Sequence, residues 1–497
     1  MFAVCSADAF RAIREAFFLS EAEGGRVMQA QQGSQAGGGT LVIRGGRVID
    51  PASGFDGIAD LMIMNGRIAA LGAVANRADG LRTPMPENLD ATGCIVCPGF
   101  IDIHVHLRDP GQEQKETLAT GTRAAARGGF VHVCCMPNTV PALDSAARIR
   151  DVRERAILDG IVRVSPIGAI SIDRKGESPA PWAGMAAAGA VAFSDDGDSC
   201  MSEAIMRAAL EATRVHGKPL AVHCEDKALI PDPQAGMNEG IVSHRMRAPG
   251  IPRAAEEAII ARDLRLAEET GGLLHLCHVS TAGGVQLLRE AKARGVKATG
   301  EAMPHHMTLT DEWVAGGRAW AWEKPYHPGW PTLDPLAKVN PPLRTSEDAA
   351  AVLAGLKDGT LDCIATDHAP HTMAEKAQDL ATAPSGFTGS ETALPLLMEM
   401  ERAGLLTVPE IVRHLTVNAA RVFNLSGGAL RPGAPADVTI FDPAASFMVS
   451  ETTLVSKSPN TPLLGMKLTG AVRATLVGGR VVYDARRNPA FAGGEMQ

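Results

Sequence analysis

The sequence predicts an α/β protein: a (β/α)8 TIM-type barrel carrying a small composite β-sandwich built from both chain ends. Three observations predict it. Between Gly99 and Thr366, short apolar runs alternate with amphipathic stretches of helical length, the pattern of parallel strands joined by crossover helices. His and Asp residues stand where many of the apolar runs stop, and the C-terminal strand ends are where such barrels keep their sites. The segments on either side of this middle part are both β-rich and resemble each other.

The elements follow in order. Phe10 to Glu21 could form a short amphipathic helix, but no basic start, apolar core and small-residue cleavage site make it a signal peptide. Gln29 to Gly39 is Gln/Gly/Ser-rich and reads as a linker, with Met28 a second candidate start beside Met1. Thr40 to Ile49 reads as strand–turn–strand, turning at Gly45-Gly46. Asp60 to Leu71 turns at Asn65-Gly66, a strong hairpin dipeptide. Ala474 to Tyr483, with Gly478-Gly479 at its centre, repeats the first pattern, and Asp437 to Phe441 adds a strand. The barrel strands are Gly99–His106, Phe130–Met136, Ile161–Ala169, Ala190–Ser194, Leu220–His223, Leu273–Val279, Val296–Glu301 and Cys363–Thr366. The helices are Lys115–Arg127, Ser145–Leu158, Pro179–Ala188, Met201–Val215, Arg253–Glu269, Ala282–Ala293 and Ser346–Lys357. A doubly wound open sheet is the alternative, but no Gly-x-Gly-x-x-Gly follows a strand to open a helix. The expected division is an extension over residues 1–38, the sandwich over 39–97 and 426–488, the barrel over 98–425, and a tail over 489–497.

Composition narrows the function. A chain of 497 residues with 45% hydrophobic and 21% charged residues suits a soluble globular protein with a large core. A net charge of −8 gives no footprint for nucleic acid or an anionic membrane. No apolar run is long enough for a membrane span. The nine cysteines are scattered, and Cys94-Ile-Val-Cys97 has apolar inner residues and no partner motif, so it reads as buried strand. Reduced thiols in a cytoplasmic protein are the simplest account.

The strand ends carry the chemistry. The first gives His104, His106 and Arg108; two residues apart on a strand, the imidazoles share a face. Later ends give Met136-Pro137-Asn138, Ser194-Asp195-Asp196-Gly197, His223-Cys224-Glu225, His275-Leu-Cys-His278 and Asp367-His368-Ala-Pro-His371. A lone His-x-His is more often a pair of satisfied histidines than a ligand set. Ligand-type residues on five strand ends reverse that weighing. Four histidines and two carboxylates suit two cations such as Zn²⁺. A bridging carboxylate would hold them ~3.5–4 Å apart and activate a shared water. Spacing alone leaves Asp195 and Asp196 equal as the bridge.

Longer motifs bring out a resemblance. They are Pro98-Gly-Phe-Ile-Asp-Ile-His-Val-His-Leu-Arg-Asp-Pro-Gly111, Ala125-Ala-Arg-Gly-Gly129, Met136-Pro-Asn-Thr139, Ala192-Phe-Ser-Asp-Asp-Gly197, Ala221-Val-His-Cys-Glu-Asp226, Cys277-His-Val-Ser-Thr281, Asn340-Pro-Pro-Leu-Arg344 and Ile364-Ala-Thr-Asp-His-Ala-Pro-His371. From about Leu41 to Tyr483 the chain resembles the amidohydrolase superfamily, and within it the class I (bacterial type) dihydroorotases. The resemblance implies reversible hydrolysis of L-dihydroorotate to N-carbamoyl-L-aspartate in pyrimidine synthesis. It implies two Zn²⁺ per chain, one held by His104, His106 and Asp367, the other by His223 and His278, with Asp196 bridging. Many relatives bridge with a carboxylated lysine, and here Val191 to Asp196 contains none. Arg108, Asn138 and His371 would hold the substrate carboxylate and ring, and Asn340, Ser385 and Gly386 would contact the ring. Asp367 would be both ligand and catalytic proton carrier. The resemblance also implies a homo-oligomer and association with aspartate carbamoyltransferase.

Two rival readings are another cyclic-amide hydrolase, such as a hydantoinase or allantoinase, and a non-catalytic structural partner of aspartate carbamoyltransferase. The one departure from the resemblance is Trp313 to Pro335, which holds four of the five Trp residues. It reads either as a self-packed loop or as a lid or subunit contact.

Overall fold

The computed structural model describes residues 39–72, 87–324 and 332–487. The expected extension over 1–38, the choice between Met1 and Met28, and the tail over 489–497 lie outside those residues. Among the described residues no helix is long and apolar enough to cross a membrane.

The first strands belong to a mixed sheet: β1 (Thr40–Asp50), β2 (Phe55–Met64), β3 (Arg67–Leu71), β4 (Glu87–Asp90) and β5 (Ile95–Pro98). Asn65 and Gly66 take φ of 48° and 75°, the left-handed turn that an Asn-Gly hairpin needs. The expected turn at Gly45-Gly46 is not made. β1 runs straight through it with a register shift between Ile43 and Gly46 against β2. Gly45 has φ 72° and its N–H is taken by Asp60 Oδ1 at 3.0 Å, so the glycines form a bulge inside one strand.

The barrel follows. Its strands are β6 (Phe100–Val105), β7 (Phe130–Cys135), β8 (Arg163–Pro166), β9 (Leu220–Val222), β10 (Leu274–Leu276), β11 (Ala298–Ala302) and β12 (Cys363–Ile364). The helices between them are α1 (Leu118–Arg127), α2 (Ala146–Asp159), α3 (Trp182–Ala188), α4 (Glu203–His216), α5 (Arg253–Thr270), α6 (Ala282–Ala293) and α7 (Ser346–Asp358). β6, β7 and β8 pair in parallel, as do β9, β10, β11 and β12. Phe193 joins the two groups by parallel bridges to Gly168 and Leu220, and Val105 bridges His368 to close the ring. The expected strand Ala190–Ser194 is thus reduced to its centre. Its ladder bonds remain, Ser194 N–H to Gly168 O at 2.8 Å and Ile170 N–H to Ser194 O at 3.3 Å, and just past its end the Asp195 carboxylate accepts from the N–H groups of Ile170 and Ser171 at 2.9 and 3.1 Å.

One buried cluster fills the barrel with Ile101, Ile103, Cys134, Met136, Ile167, Ala192, Ala221, Cys277, Met303, Cys363 and Ala365, so strands all round the ring contribute. A larger cluster lies between strands and helices, with Phe100, Val105, Leu118, Val133, Leu276 and Leu288 among its members. Helix ends follow their chemistry. Thr117 caps α1 in a capping box with Thr120, so α1 starts three residues after the expected Lys115 and leaves Lys115 in the loop. Ser145, expected inside a helix, is the cap of α2.

The chain then returns to the first sheet with β13 (Val438–Met448), β14 (Lys467–Val477) and β15 (Arg480–Asp484). The order is β15-β14-β13-β5-β1-β2-β3, with β4 also beside β1. Here Gly478-Gly479 does turn the chain, pairing Val477 with Arg480. Both ends share a buried core that includes Ile43, Val48, Leu61, Val96, Val438 and Leu476.

In the Trp-rich segment Trp313 is fully buried, donates Nε1–H to Ala319 O at 2.7 Å, and lies 5.6 Å from the Trp320 ring. Trp320 stacks on Trp322 at 5.8 Å. The described part of this segment packs on itself and on a buried cluster that includes Met237, Leu309 and Phe387; residues 325–331, including Trp330, lie outside the description.

Candidate metal centre

β6 carries the first ligands. A register shift between Asp102 and Val105 lets Ile101 and Ile103 fill the barrel while His104 and His106 still reach its centre, the re-aiming a bulge allows. Asp102 fixes that shape, accepting from His104 N, Thr366 N and Thr366 Oγ1, which ties β6 to the segment after β12.

Six expected ligand residues converge there, all buried. His106 Nε2 lies 2.9 Å and His104 Nε2 3.4 Å from Asp367 Oδ1. Asp196 stands between the two halves. Its Oδ1 is 3.3 Å from His278 Nε2, 3.6 Å from His104 Nε2 and 3.9 Å from His223 Nδ1, while Oδ2 is 3.4 Å from His106 Nε2. His223 Nδ1 and His278 Nε2 are 2.9 Å apart. The geometry separates the two aspartates that spacing left equal: Asp195 faces the backbone at 170–171, and Asp196 faces the imidazoles.

This arrangement fits bound cations. Two carboxylate–imidazole groups have ligand atoms close enough to share an ion: His104, His106 and Asp367, and His104, Asp196 and His278. His104 Nδ1 lies 2.6 Å from Glu301 Oε1, so a proton sits there and Nε2 is the ring atom aimed inward. That Nε2 is buried with no hydrogen-bond partner. His106 is oriented in the same way by Asn138 Oδ1, 2.8 Å from its Nδ1. Burial opposes charge on His104, yet Asp196, Glu301 and Asp367 together hold its pKa well above the usual range. Burial likewise disfavours ionised Asp367 and Asp196, but the facing imidazoles hold both well below the usual carboxylate range. The centre is thus a nest of buried negative charge that attracts positive charge.

Beside it lies a group of different chemistry. Arg108 is buried, donates Nε–H to Pro370 O at 3.1 Å, and places a terminal amino nitrogen 3.0 Å from His371 Nε2. Burial pulls its pKa down to about 10, so it stays charged at neutral pH. His371 Nε2 is 2.9 Å from Ser385 O. Gly386 has φ 118°, and a Cβ there would stand 2.8 Å from Ala369 Cβ, so only glycine fits. Asn340 Nδ2 is 3.5 Å from His223 Nε2. Every expected site residue is therefore at or near this end of the barrel. Arg108, His278 and Asp367 take positive φ of 60°, 34° and 48°, a strained conformation that surrounding contacts must hold.

Sequence reasoning missed several neighbours. Glu301 also faces His275 Nε2 at 3.1 Å, and His104 and His275 hold its carboxyl down to about 2 against burial. Its signal was present, since the seventh expected strand ends on it. Glu225 lies 4.0 Å from His223 Nε2. Asn460, between β13 and β14, accepts from His371 N at 2.9 Å and donates to Gly386 O at 3.1 Å. No sequence pattern marks it.

The amidohydrolase family model matches residues 95–482. The chain belongs to the amidohydrolase family. This amidohydrolase is 50% identical over 449 residues to a protein named dihydroorotase from Pelotomaculum thermopropionicum, covering 90% of this chain and 99% of the relative. It is 47% identical over 444 residues to a dihydroorotase from Anaeromyxobacter sp. (strain K), covering 89% and 98%. Among solved structures it is similar to an L-hydantoinase (dihydropyrimidinase) from Arthrobacter aurescens, with TM-score 0.76, 24% identity and coverage of 89% and 96%. A dihydropyrimidinase from Brevibacillus agri gives TM-score 0.75 at 22% identity, covering 91% and 97%. These structural likenesses speak to the fold.

Proposed function

We propose that this amidohydrolase is a zinc-dependent dihydroorotase of the class I type, catalysing reversible hydrolysis of L-dihydroorotate to N-carbamoyl-L-aspartate. The observation that carries this reading is the buried Arg108, with His371 and Ser385 beside it, next to the ligand cluster. A buried guanidinium reads a carboxylate, and dihydroorotate has one on its ring. Relatives named dihydroorotase, matched over nearly their whole length, support the same assignment.

His104, His106 and Asp367 would hold one Zn²⁺ and His223 and His278 the other, with Asp196 between them. When bound, the ions supply Lewis-acid polarisation of the ring carbonyl and an acidified water. The chain's own residues do the rest. Asp367 Oδ1 faces the His104 and His106 nitrogens, which leaves Oδ2 to take a proton from the attacking water. The water oxygen bonds to the ring carbonyl carbon, the ring C–N bond breaks, Asp367 passes its proton to the leaving nitrogen, and the new carboxyl group releases the second water proton to solvent. Arg108 and Asn138 orient the ring through its carboxylate, while Asn340 and the Ser385-Gly386 turn line it.

A hydantoinase-like reading has one observation in its favour, the fold neighbours named hydantoinase and dihydropyrimidinase. A substrate ring without a carboxylate would leave the Arg108 charge unanswered, with only its bond to Pro370 O. A non-catalytic role is disfavoured because all six ligand residues are in place. We further propose a cytoplasmic homo-oligomer that associates with aspartate carbamoyltransferase. The eight cysteines among the described residues are all buried free thiols, which suits a reducing compartment. Gently purified protein should hold about two Zn²⁺ per chain and turn over dihydroorotate. Metal content well below one, or no turnover by zinc-loaded enzyme, overturns the proposal.

A further inference from the structure

Lys115 sits in the loop between β6 and α1 and has no part in the ligand cluster. Its Nζ is 3.2 Å from His371 Nδ1 and 3.1 Å from Glu375 Oε1. Glu375 is held in turn by the Thr372 backbone N–H at 2.9 Å in a capping box. The chemistry of these contacts fixes a proton. An ammonium only donates, so His371 Nδ1 must accept from Lys115 and carry no hydrogen. The single proton of the neutral ring is then on Nε2. That atom lies 2.9 Å from Ser385 O, which only accepts. Lys115 and Ser385 therefore select the same tautomer against the single opposing contact from Arg108. Burial, with Arg108 and Lys115 nearby, pushes the His371 pKa down to about 2, in keeping with a neutral ring.

The tautomer has a consequence for Arg108. Its terminal amino group is 3.0 Å from His371 Nε2, which now presents N–H rather than a lone pair. Two N–H groups facing each other at this distance repel, so this amino group makes no bond to the ring and gains a partner only from an added acceptor. Were the proton on Nδ1, Nε2 would accept from Arg108 and draw the guanidinium into an internal bond.

We infer that Lys115, held by Glu375, is a positioning and specificity residue that locks His371 in its Nε2–H tautomer and so keeps Arg108 available for a substrate carboxylate. The inference rests on the dihydroorotase reading. It adds that recognition of the anionic ring depends on a lysine that need not touch the metals.

The test compares wild type with Lys115→Met and Lys115→Arg, all zinc-loaded and checked for metal content. Substrates are dihydroorotate and dihydrouracil, which is the same ring without the carboxylate. Lys115→Met should raise KM for dihydroorotate about tenfold or more, with a smaller change in kcat and little change on dihydrouracil. Lys115→Arg, also a pure donor, should recover most of the loss. In ¹⁵N-histidine-labelled protein, with His371 assigned through His371→Asn, wild type should show a pyridine-like Nδ1 and a pyrrole-like Nε2. Lys115→Met should show the pattern mixed or reversed. Equal losses on both rings, or an Nδ1–H tautomer in wild type, overturns the inference. A wild type inactive on dihydroorotate overturns the underlying reading instead, and the ¹⁵N result then still decides the tautomer.

Discussion

If Arg108 reads a substrate carboxylate, as proposed, replacing it with methionine separates that function from the fold. Arg108 is only 7% exposed. The methionine keeps most of the stem's volume but loses the charge. Two losses can be separated. Removing one partner of a buried charge pair costs ~2–5 kcal/mol, or about 30-fold to about 5,000-fold in an equilibrium or rate ratio. The Pro370 carbonyl also loses its donor, Arg108 Nε, which costs about 1 kcal/mol of stability. The second loss is common to every substrate and the first is not. The assay is kcat/KM on dihydroorotate and on dihydrouracil, with metal content measured for each preparation. Dihydroorotate should lose about 10²-fold or more, and weak turnover of dihydrouracil should barely change. Because the carboxylate is gripped before and during ring opening, most of the loss should appear in KM. Equal losses on both rings would make Arg108 structural and return ground to the hydantoinase-like reading.

Asp367→Ala should leave a folded protein whose turnover falls by ~10²–10⁴ or more, since it loses both a ligand and a proton carrier; near-normal activity in a fully metallated variant refutes the role. Glu301→Gln removes the charge behind His104 and should weaken zinc binding ~10–100-fold in a chelator competition, with little change in thermal stability of the zinc-saturated protein. An unchanged affinity would make Glu301 packing only. Asp311 gives a pH test away from the metals. Burial raises its carboxyl to about 6, although Asn238 Nδ2 donates to it at 2.9 Å. A carboxyl raised on folding holds its proton better in the native state, so its contribution is present at low pH and is lost as pH rises from about 4 through about 6. Unfolding free energies from urea titration should therefore shift in favour of Asp311→Asn over wild type between pH 4 and pH 7, by up to ~2–3 kcal/mol. A difference that stays constant across that range sinks the argument.

The candidate ligand cluster could be read from the sequence because strand ends and spacing report directly on which His and Asp side chains converge. His104 and His106 alternate along one strand, and the later ligands close apolar runs. Glu301 closes such a run too, but one acid without a spaced partner looks like any strand end. The two diglycines show a different limit. Gly45-Gly46 and Gly478-Gly479 sit in near-identical local sequence, yet one is a bulge and the other a hairpin turn. The difference lies outside the local sequence: Asp60 captures the Gly45 N–H, while Asp437 Oδ1 takes the Gly478 N–H at 2.8 Å at the hairpin turn. Propensity could not separate them, because tertiary partners decide.

Around Arg108, the supporting residues Lys115 and Asn460 were the least legible part, and the way this side is built explains why. Arg108 comes from the end of β6, Lys115 from the loop after it, His371 and Ser385 from the segment after β12, and Asn460 from the connection between β13 and β14. Arg108 continues the alternation of His104 and His106, but the other positions are set by no helical or strand period, which reports only which face of an element is buried. Lys115 was hidden further by being placed in a helix, until the Thr117–Thr120 capping box put the helix start beyond it. Asn460 shows what such a group requires. Its one amide bonds the His371 backbone and the Gly386 carbonyl at once, so a segment of the terminal sheet region braces two loops of the barrel. The composite sheet therefore does more than close the chain ends, because the position of the substrate-facing loops depends on a side chain it supplies.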